Sequence, residues 1–374
     1  MKRWLSYIVT WGLIFIAAIS SSQACTDFRL KAQDGTIVIG RSMEFAVDMH
    51  SNLMSSPRER VFNNATPSGK SALSWVSQYG YVFLDAFNTG MAVDGMNEHG
   101  LAVEALYLPG ETQYQTIPPG KENQALPYLR FADWILGNFR SIDDVKKALS
   151  TVYVFAQEIP QQKNLIFPLH FNITDSNGNS IVVEFIGGKM KTHDNVLGVL
   201  TNSPTYNWQI TNLRNYVNLS PSTPKPIVDN GIKFTATGQG AGMMGLPGDI
   251  SPPSRFVKIS ILLKTVFTPV NADAAINLAQ HIINNVDIPL GFVRSGENVN
   301  KATNELTQWV VFKDLTNKIF YYRTYEDLTL RSVDLSRVDL SAEAKQFKMP
   351  IASRQYVMDM TDKFIGADVK TNID

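Results

Sequence analysis

The 374-residue chain has a single cysteine, Cys25. That excludes an internal disulfide framework and any zinc or iron–sulfur site built from several thiolates. Its five histidines, His50, His99, His170, His193 and His281, are scattered, with no HExxH-like spacing that would mark a helical zinc-protease motif. Charge is scarce and balanced. Charged residues make up 18% of the chain, and 34 Lys and Arg face 34 Asp and Glu, so no global positive field argues for nucleic acid. No apolar run after residue 24 approaches a membrane span. Internal repeats and low-complexity tracts are also missing. With 44% hydrophobic residues, the chain is neither disordered nor polytopic. The length is ample for a buried core, and nothing marks an internal boundary, so residues 25–374 are expected to form one domain.

The N-terminus supplies the first positive signal. Residues 1–24 carry Lys2 and Arg3, then a mostly apolar stretch from Trp4 to Ser20, then Ser22-Gln23-Ala24. This is the layout of a secretory signal peptide cut before Cys25. The alternative is an uncleaved anchor helix, since the run is near the minimum of about 17 residues for spanning. Export to the periplasm or the medium is therefore expected, without stable membrane insertion after cleavage. The lone cysteine would then be the first residue of the mature chain. It could be an inert buried thiol, a lipid-attachment site or a catalytic nucleophile. Ser22 and the bulky Gln23 fit a lipoprotein cleavage box poorly.

Along the rest of the chain, β runs alternate with turn chemistry. Thr26–Lys31 and Thr36–Arg41 flank Asp34-Gly35. Met91–Met96 and Leu101–Tyr107 flank Asn97-Glu98-His99-Gly100. His170–Thr174 with Ser180–Phe185, and Gln308–Lys313 with Lys318–Arg323, are joined by Asn- and Asp-containing loops. Such pairs predict antiparallel hairpins. Helical periodicity covers Pro127–Phe139, Ile142–Ser150 after a Ser141 cap, Arg255–Phe267 and Ala272–Asn285. Residues 109–126 and 219–254 read as loops. An α+β fold with helices outside antiparallel sheets is the expectation.

An N-terminal cysteine places two useful groups on one residue. The thiolate is a nucleophile, and the α-amine, with a pKa of about 7.7–8.0, can take its proton directly or through one water. Before cleavage that nitrogen is an amide and cannot act as a base. The site further needs a cation for the thiolate, a carboxylate for the amine, and donors for an oxyanion. In Gly40-Arg41-Ser42-Met43-Glu44-Phe45, Arg41 and Glu44 offer the first two, because the Asp34-Gly35 turn folds this segment back toward Cys25. By composition alone, such an Arg and Glu equally fit a solvated face.

Five features in order carry a resemblance. They are Cys25-Thr26 with Arg41 sixteen positions later, Asp94-Gly95-Met96-Asn97-Glu98-His99-Gly100-Leu101, Leu200-Thr201-Asn202-Ser203-Pro204, Gly245-Leu246-Pro247-Gly248-Asp249 leading to Ser254-Arg255-Phe256, and Gln308-Trp309 with the run Ile319–Tyr325. Together they resemble the choloylglycine hydrolase family, the N-terminal nucleophile hydrolases that include bile salt hydrolases and penicillin V acylases. The resemblance spans residues 25 to about 330. It implies a four-layer αββα sandwich. It also implies Cys25 as nucleophile and acid/base, Arg41 beside the thiolate, Asn202 donating its side-chain NH₂ to the oxyanion, Arg255 in support, and a backbone N–H at Tyr107 as second oxyanion donor. No metal or cofactor enters such chemistry.

Two departures stand out. The family's RN-x-D or RT-x-D motif here ends in Glu44, which gives the amine-orienting carboxylate one extra methylene; Asp48 is the substitute considered. Tyr107 stands where bile salt hydrolases carry Asn, which resembles the penicillin V acylase-like members of Gram-negative bacteria. The implied reaction is hydrolysis of a linear acyl amide through a thioester, with penicillin V or an N-acyl-homoserine lactone as substrates and a conjugated bile salt as alternative. Met43, Phe45, Tyr107 and Trp208 are candidates for an apolar acyl pocket. A ceramidase-like or N-acylethanolamine amidase-like enzyme is a competing reading, as is a lipid-anchored binding protein. The family often forms tetramers, which leaves a homotetramer open.

Overall fold

The computed structural model describes residues 24–159, 162, 164–295, 303–352, 354 and 357–365. Nearly all of the expected signal peptide, residues 1–23, lies outside them.

The first hairpin joins Cys25–Lys31 to Ile37–Phe45, with Cys25 opposite Met43 and Asp27 opposite Arg41. These strands lie in a seven-stranded antiparallel sheet. The order runs Val199–Leu200, Cys25–Lys31, Ile37–Phe45, Thr303–Asp314, Ile319–Thr324, Arg331–Asp334, with Val293–Ser295 also pairing to Thr303–Asp314. A second sheet of eight strands runs Lys189–Asp194, Ser180–Ile186, Leu169–Thr174, Ala102–Tyr107, Asp94–Asn97, Tyr81–Leu84, Asn52–Ser56, Lys348–Pro350. Every pairing in it is antiparallel as well. The four hairpins expected from turn chemistry all form, since Gly and Asn/Asp residues supply the turn conformations that joined antiparallel strands need.

The sheets stack face to face, and helices cover both outer faces. Alternation along each strand decides which side chains meet. Leu84, Met96, Ala102, Leu106 and Val182 turn inward and share one core with Phe28, Ile39, Val311 and the helices Pro252–Thr265 and Ala272–Ile283. Phe83, Val103, Ala105, Phe171 and Val183 turn outward and pack with the helices Phe131–Asn138 and Ile142–Leu149. The result is a four-layer αββα sandwich. The Ser141 hydroxyl caps its helix by accepting the Asp144 N–H at 3.2 Å, as the capping sequence predicts. Asn271 does the same for the Ala274 N–H at 3.0 Å.

One close approach ties the first hairpin together. A Cβ added at Gly40 would lie 2.4 Å from the Phe28 ring, so only glycine lets that ring lie across the strand beside Arg41.

Candidate active site

Cys25 opens the first strand and is buried, with Ala24 still attached and equally buried. Strand alternation divides the residues around it. Cys25, Asp27, Arg41 and Met43 share the face that looks toward the eight-stranded sheet. Thr26, Ser42 and Glu44 look the other way, toward the helix that carries Arg255. The sequence reading placed Arg41 and Glu44 together beside Cys25. Their three-residue separation in a strand instead puts them on opposite faces of it.

On the inner face the Cys25 Sγ lies 3.8 Å from the Met43 thioether, which is 4.0 Å from Arg41 Nη2. The Arg41 guanidinium is fully buried. It donates to Ala105 O at 2.6 Å, pairs with Asp94 at 3.5 Å, and lies 4.7 Å above the Trp309 ring. These partners fix its direction. Burial pushes the Cys25 thiol up; Arg41 and Arg255 act against that, and Glu44 adds to it. The protonated thiol is therefore the favoured form.

On the outer face Arg255 donates to the Cys25 carbonyl, to Thr26 Oγ1 at 2.7 Å and to Asn202 Oδ1 at 2.7 Å. An arginine can only donate, so this contact identifies which end of the Asn202 amide is oxygen. That oxygen also accepts the Cys25 backbone N–H at 2.7 Å. The Asn202 NH₂ donates to Tyr107 O at 2.7 Å, and one of its two hydrogens is left for another acceptor. Asn202 thus has a second contact that the sequence did not reveal, with the Cys25 backbone nitrogen.

The Tyr107 N–H is set by ladder geometry. Leu108 N bonds Pro168 O at 2.7 Å, so the Tyr107–Leu169 pair is a non-hydrogen-bonded one. Its N–H is turned away from Leu169, to the side on which Ala105 N bonds Val93 O. Glu44 is buried, and its Oε1 accepts from Thr307 Oγ1 at 2.8 Å. Burial raises its pKa to about 7, against the pull of Arg255 and of hydrogen bonds from Ser42 and Thr307. Asp48, the substitute carboxylate, is exposed and pairs with His50 at 3.1 Å.

An apolar cavity of about 70 Å³ opens beside Cys25. Met43, Phe45 and Tyr107 line it, as expected, together with Phe87 and Phe167. The Phe87 and Phe167 rings stack at 5.9 Å, and Phe45 meets both edge-on. Trp208 is the correction. It sits on the helix Tyr206–Asn212, is 45% exposed, and does not line this cavity. The helix turns its position outward, while Tyr206 and Gln209 face in. Phe87 and Phe167 went unnoticed because they lie outside every motif. Among the described residues no group of three His, Cys, Asp or Glu side chains is arranged to hold a metal, and no helix is long and apolar enough to cross a membrane.

Known proteins share this arrangement of chain. A bile salt hydrolase/transferase of Clostridium perfringens is 35% identical over 332 residues, covering 87% of this chain and 96% of that one. A penicillin V acylase of Pectobacterium atrosepticum is 29% identical over 91% of this chain and 89% of its own. A solved structure of a conjugated bile acid hydrolase variant from Clostridium perfringens superposes with a TM-score of 0.77 at 30% identity, covering 90% of this chain and 99% of that one. The family model described as linear amide C–N hydrolases, choloylglycine hydrolase family, matches residues 25–362, and the chain belongs to that family.

Proposed function

We propose that this linear amide C–N hydrolase is exported, loses residues 1–24, and then cleaves acyl amides through a thioester on Cys25. The arrangement around Asn202 supports that reading most directly. Its oxygen already holds the nitrogen that would become the α-amine. The amine takes the thiol proton, and the thiolate attacks the acyl carbonyl with Arg41 on the same strand face. The free hydrogen of the Asn202 NH₂ and the Tyr107 N–H meet the oxyanion. The ammonium of Cys25 protonates the departing amine, and water then cleaves the thioester to release the acid and restore the thiol. Glu44 and Asn202 orient the amine between them.

The cavity favours a compact, flat acyl group. At about 10–15 Å³ per water-sized sphere, 70 Å³ holds the volume of one aromatic ring or a short acyl chain. A phenoxyacetyl amide such as penicillin V, or a short N-acyl-homoserine lactone, fits that space. A conjugated bile salt is the second reading, favoured by the 35% identical relative that carries that name. The test is the intact mass of the exported protein, followed by initial rates on penicillin V, hexanoyl-homoserine lactone and glycocholate. The expected result is a chain beginning at Cys25 with a free amine, turnover of one of the first two, and none with Cys25→Ala. A diacylglycerol-sized increment on Cys25, or an uncut N-terminus in an active enzyme, overturns the mechanism. A preference for glycocholate overturns the acyl assignment alone.

A further inference from the structure

The inner face of the eight-stranded sheet holds a polar cluster that the chemistry above does not use. His170 and Glu184 are both almost wholly buried. His170 Nε2 lies 3.0 Å from the Thr201 carbonyl oxygen, and Nδ1 lies 3.4 Å from Glu184 Oε1. The Thr201 carbonyl can only accept, so Nε2 is the nitrogen that carries the hydrogen toward it. Glu184 Oε1 also accepts the Tyr206 N–H at 2.8 Å, and Oε2 lies 3.6 Å from His193 Nε2. Burial pushes the Glu184 carboxyl up, but hydrogen bonds from His170 and His193, with the Tyr206 N–H, hold it down at about 2. It is thus a carboxylate, the form those donors require.

The two points this pair holds are Thr201 and Tyr206, and they bracket Asn202. We propose that His170, backed by Glu184, is a positioning residue for Asn202: its Nε2–H holds the Thr201 carbonyl and so fixes where the Asn202 amide points. Three further bonds tie the same segment elsewhere. Thr201 Oγ1 donates to Pro252 O at 3.0 Å, Ser203 Oγ to Pro109 O at 2.5 Å, and Gln209 Nε2 to Asn202 O at 3.3 Å. All three come from side chains that reach out of the segment or from the helix after it. His170 instead comes from the strand paired with Ala102–Tyr107, in register with Leu106. Together with the direct bond from the Asn202 NH₂ to Tyr107 O, it references the Asn202 donor to the strand that carries the Tyr107 donor. An oxyanion site needs its two donors fixed relative to each other more than to the rest of the molecule. A buried imidazole paired with a buried carboxylate is also costly as mere packing, since an apolar pair of similar volume is often at least as stable.

The inference rests on the reading of Asn202 as an oxyanion donor, so Asn202→Ala is measured alongside. The experiment is steady-state hydrolysis of penicillin V by the processed enzyme, with thermal melts of each variant. His170→Leu, which removes the donor, is expected to lower kcat by about 10- to 100-fold with KM within about threefold, because a misplaced group of this kind costs on that order. His170→Gln keeps a donor toward Thr201 and is expected to recover most of that loss. A variant Glu184→Gln leaves an acceptor for Tyr206 but removes the charge beside His170, and lowers kcat in the same sense. It also serves if His170→Leu does not fold. Wild-type kcat in Glu184→Gln and His170→Leu, a kcat loss in His170→Leu that His170→Gln does not recover, or a KM effect alone overturns the proposal. Full activity in Asn202→Ala overturns the oxyanion reading itself. Loss there with wild-type His170 variants removes only the positioning role.

Discussion

Glu44 is where a one-carbon difference has its clearest consequence. The strand places its carboxylate on the helix side, beside Arg255 and Thr307, and burial holds its pKa near 7. An unfolded Glu titrates near about 4.3. The folded state therefore binds that proton more tightly, and between those two values the stability contributed by Glu44 falls as pH rises, being lost through about 7. If the anion orients the amine, activity runs the opposite way. kcat/KM is expected to drop as pH falls through about 7 or somewhat below, where the new ammonium pulls the carboxyl down. Glu44→Gln is expected to flatten that acid limb and lower the rate at pH 8, and a pH–rate profile of both proteins checks it. An unchanged limb in the variant assigns it to another group. Cys25, Arg41, Asn202 and Arg255 were legible in the sequence because each sits in a short motif. His170 and Glu184 were not, since a lone His and a lone Glu in strands have no local signature and meet only when the sheet forms. Trp208 misled because closeness in sequence to Asn202 says nothing about which way a helix turns a side chain.

The hairpin Cys25–Phe45 carries more of the site than any other element. Its turn could be read directly, and so could the helix Ile142–Leu149 with its Ser141 cap and the helix Ala272–Ile283, while the hairpin's alternation and the Asn271 cap were not read. The strands Asn52–Ser56, Tyr81–Leu84, Lys189–Asp194 and Arg331–Asp334 were not anticipated. Lys189–Asp194 and Arg331–Asp334 edge or near-edge a sheet and read as polar runs, while Tyr81–Leu84 is apolar on both faces and lacks a period. Within the hairpin, Gly40 is the sensitive point. Gly40→Ala pushes a methyl into the Phe28 ring and is expected to cost about 1–3 kcal/mol in chemical denaturation. Because Arg41 follows directly, a drop in kcat should accompany the loss of stability. Gly35→Ala is the contrast. Nothing crowds its Cβ, but its φ of +91° strains any L-residue, so it should destabilise without touching catalysis.

At the scale of the molecule, the two sheets are joined through charge as well as apolar packing. Lys313, from the seven-stranded sheet, bonds Asp94 at 2.8 Å and Glu104 at 2.5 Å on the other, with all three side chains fully buried. Burial pushes the Lys313 pKa down, but the two carboxylates outweigh it. Asp27 is held well above the usual carboxylate range, by burial first and then by Glu104, so it enters the cluster as a neutral acid. Its carboxyl accepts from Asn172 at 2.7 Å. Burial pushes the Glu104 carboxyl up as well, and Lys313 and Arg41 act against it. Lys313→Met removes the cation beside Glu104 while Arg41 still faces Asp94, and is expected to cost about 3–5 kcal/mol in a denaturant titration. A Lys313→Met, Glu104→Leu double variant should recover part of it. The layered fold could be anticipated from hairpins and amphipathic helices. This ionic core could not, because its members come from five separate strands.

The residues around Cys25 and much of the cavity wall belong to different kinds of backbone. Cys25, Arg41 and Glu44 stand within strands, and Arg255 on a long helix, all cross-bonded to neighbours on other elements. Much of the cavity wall is connecting chain instead, from Met49, through Ala86 to Met91, and at Phe167. Connecting chain accepts insertions and exchanges far more readily than paired strands do. A lineage built on this scaffold can therefore change what it digests by drift in three loops, while the bond it breaks stays the same.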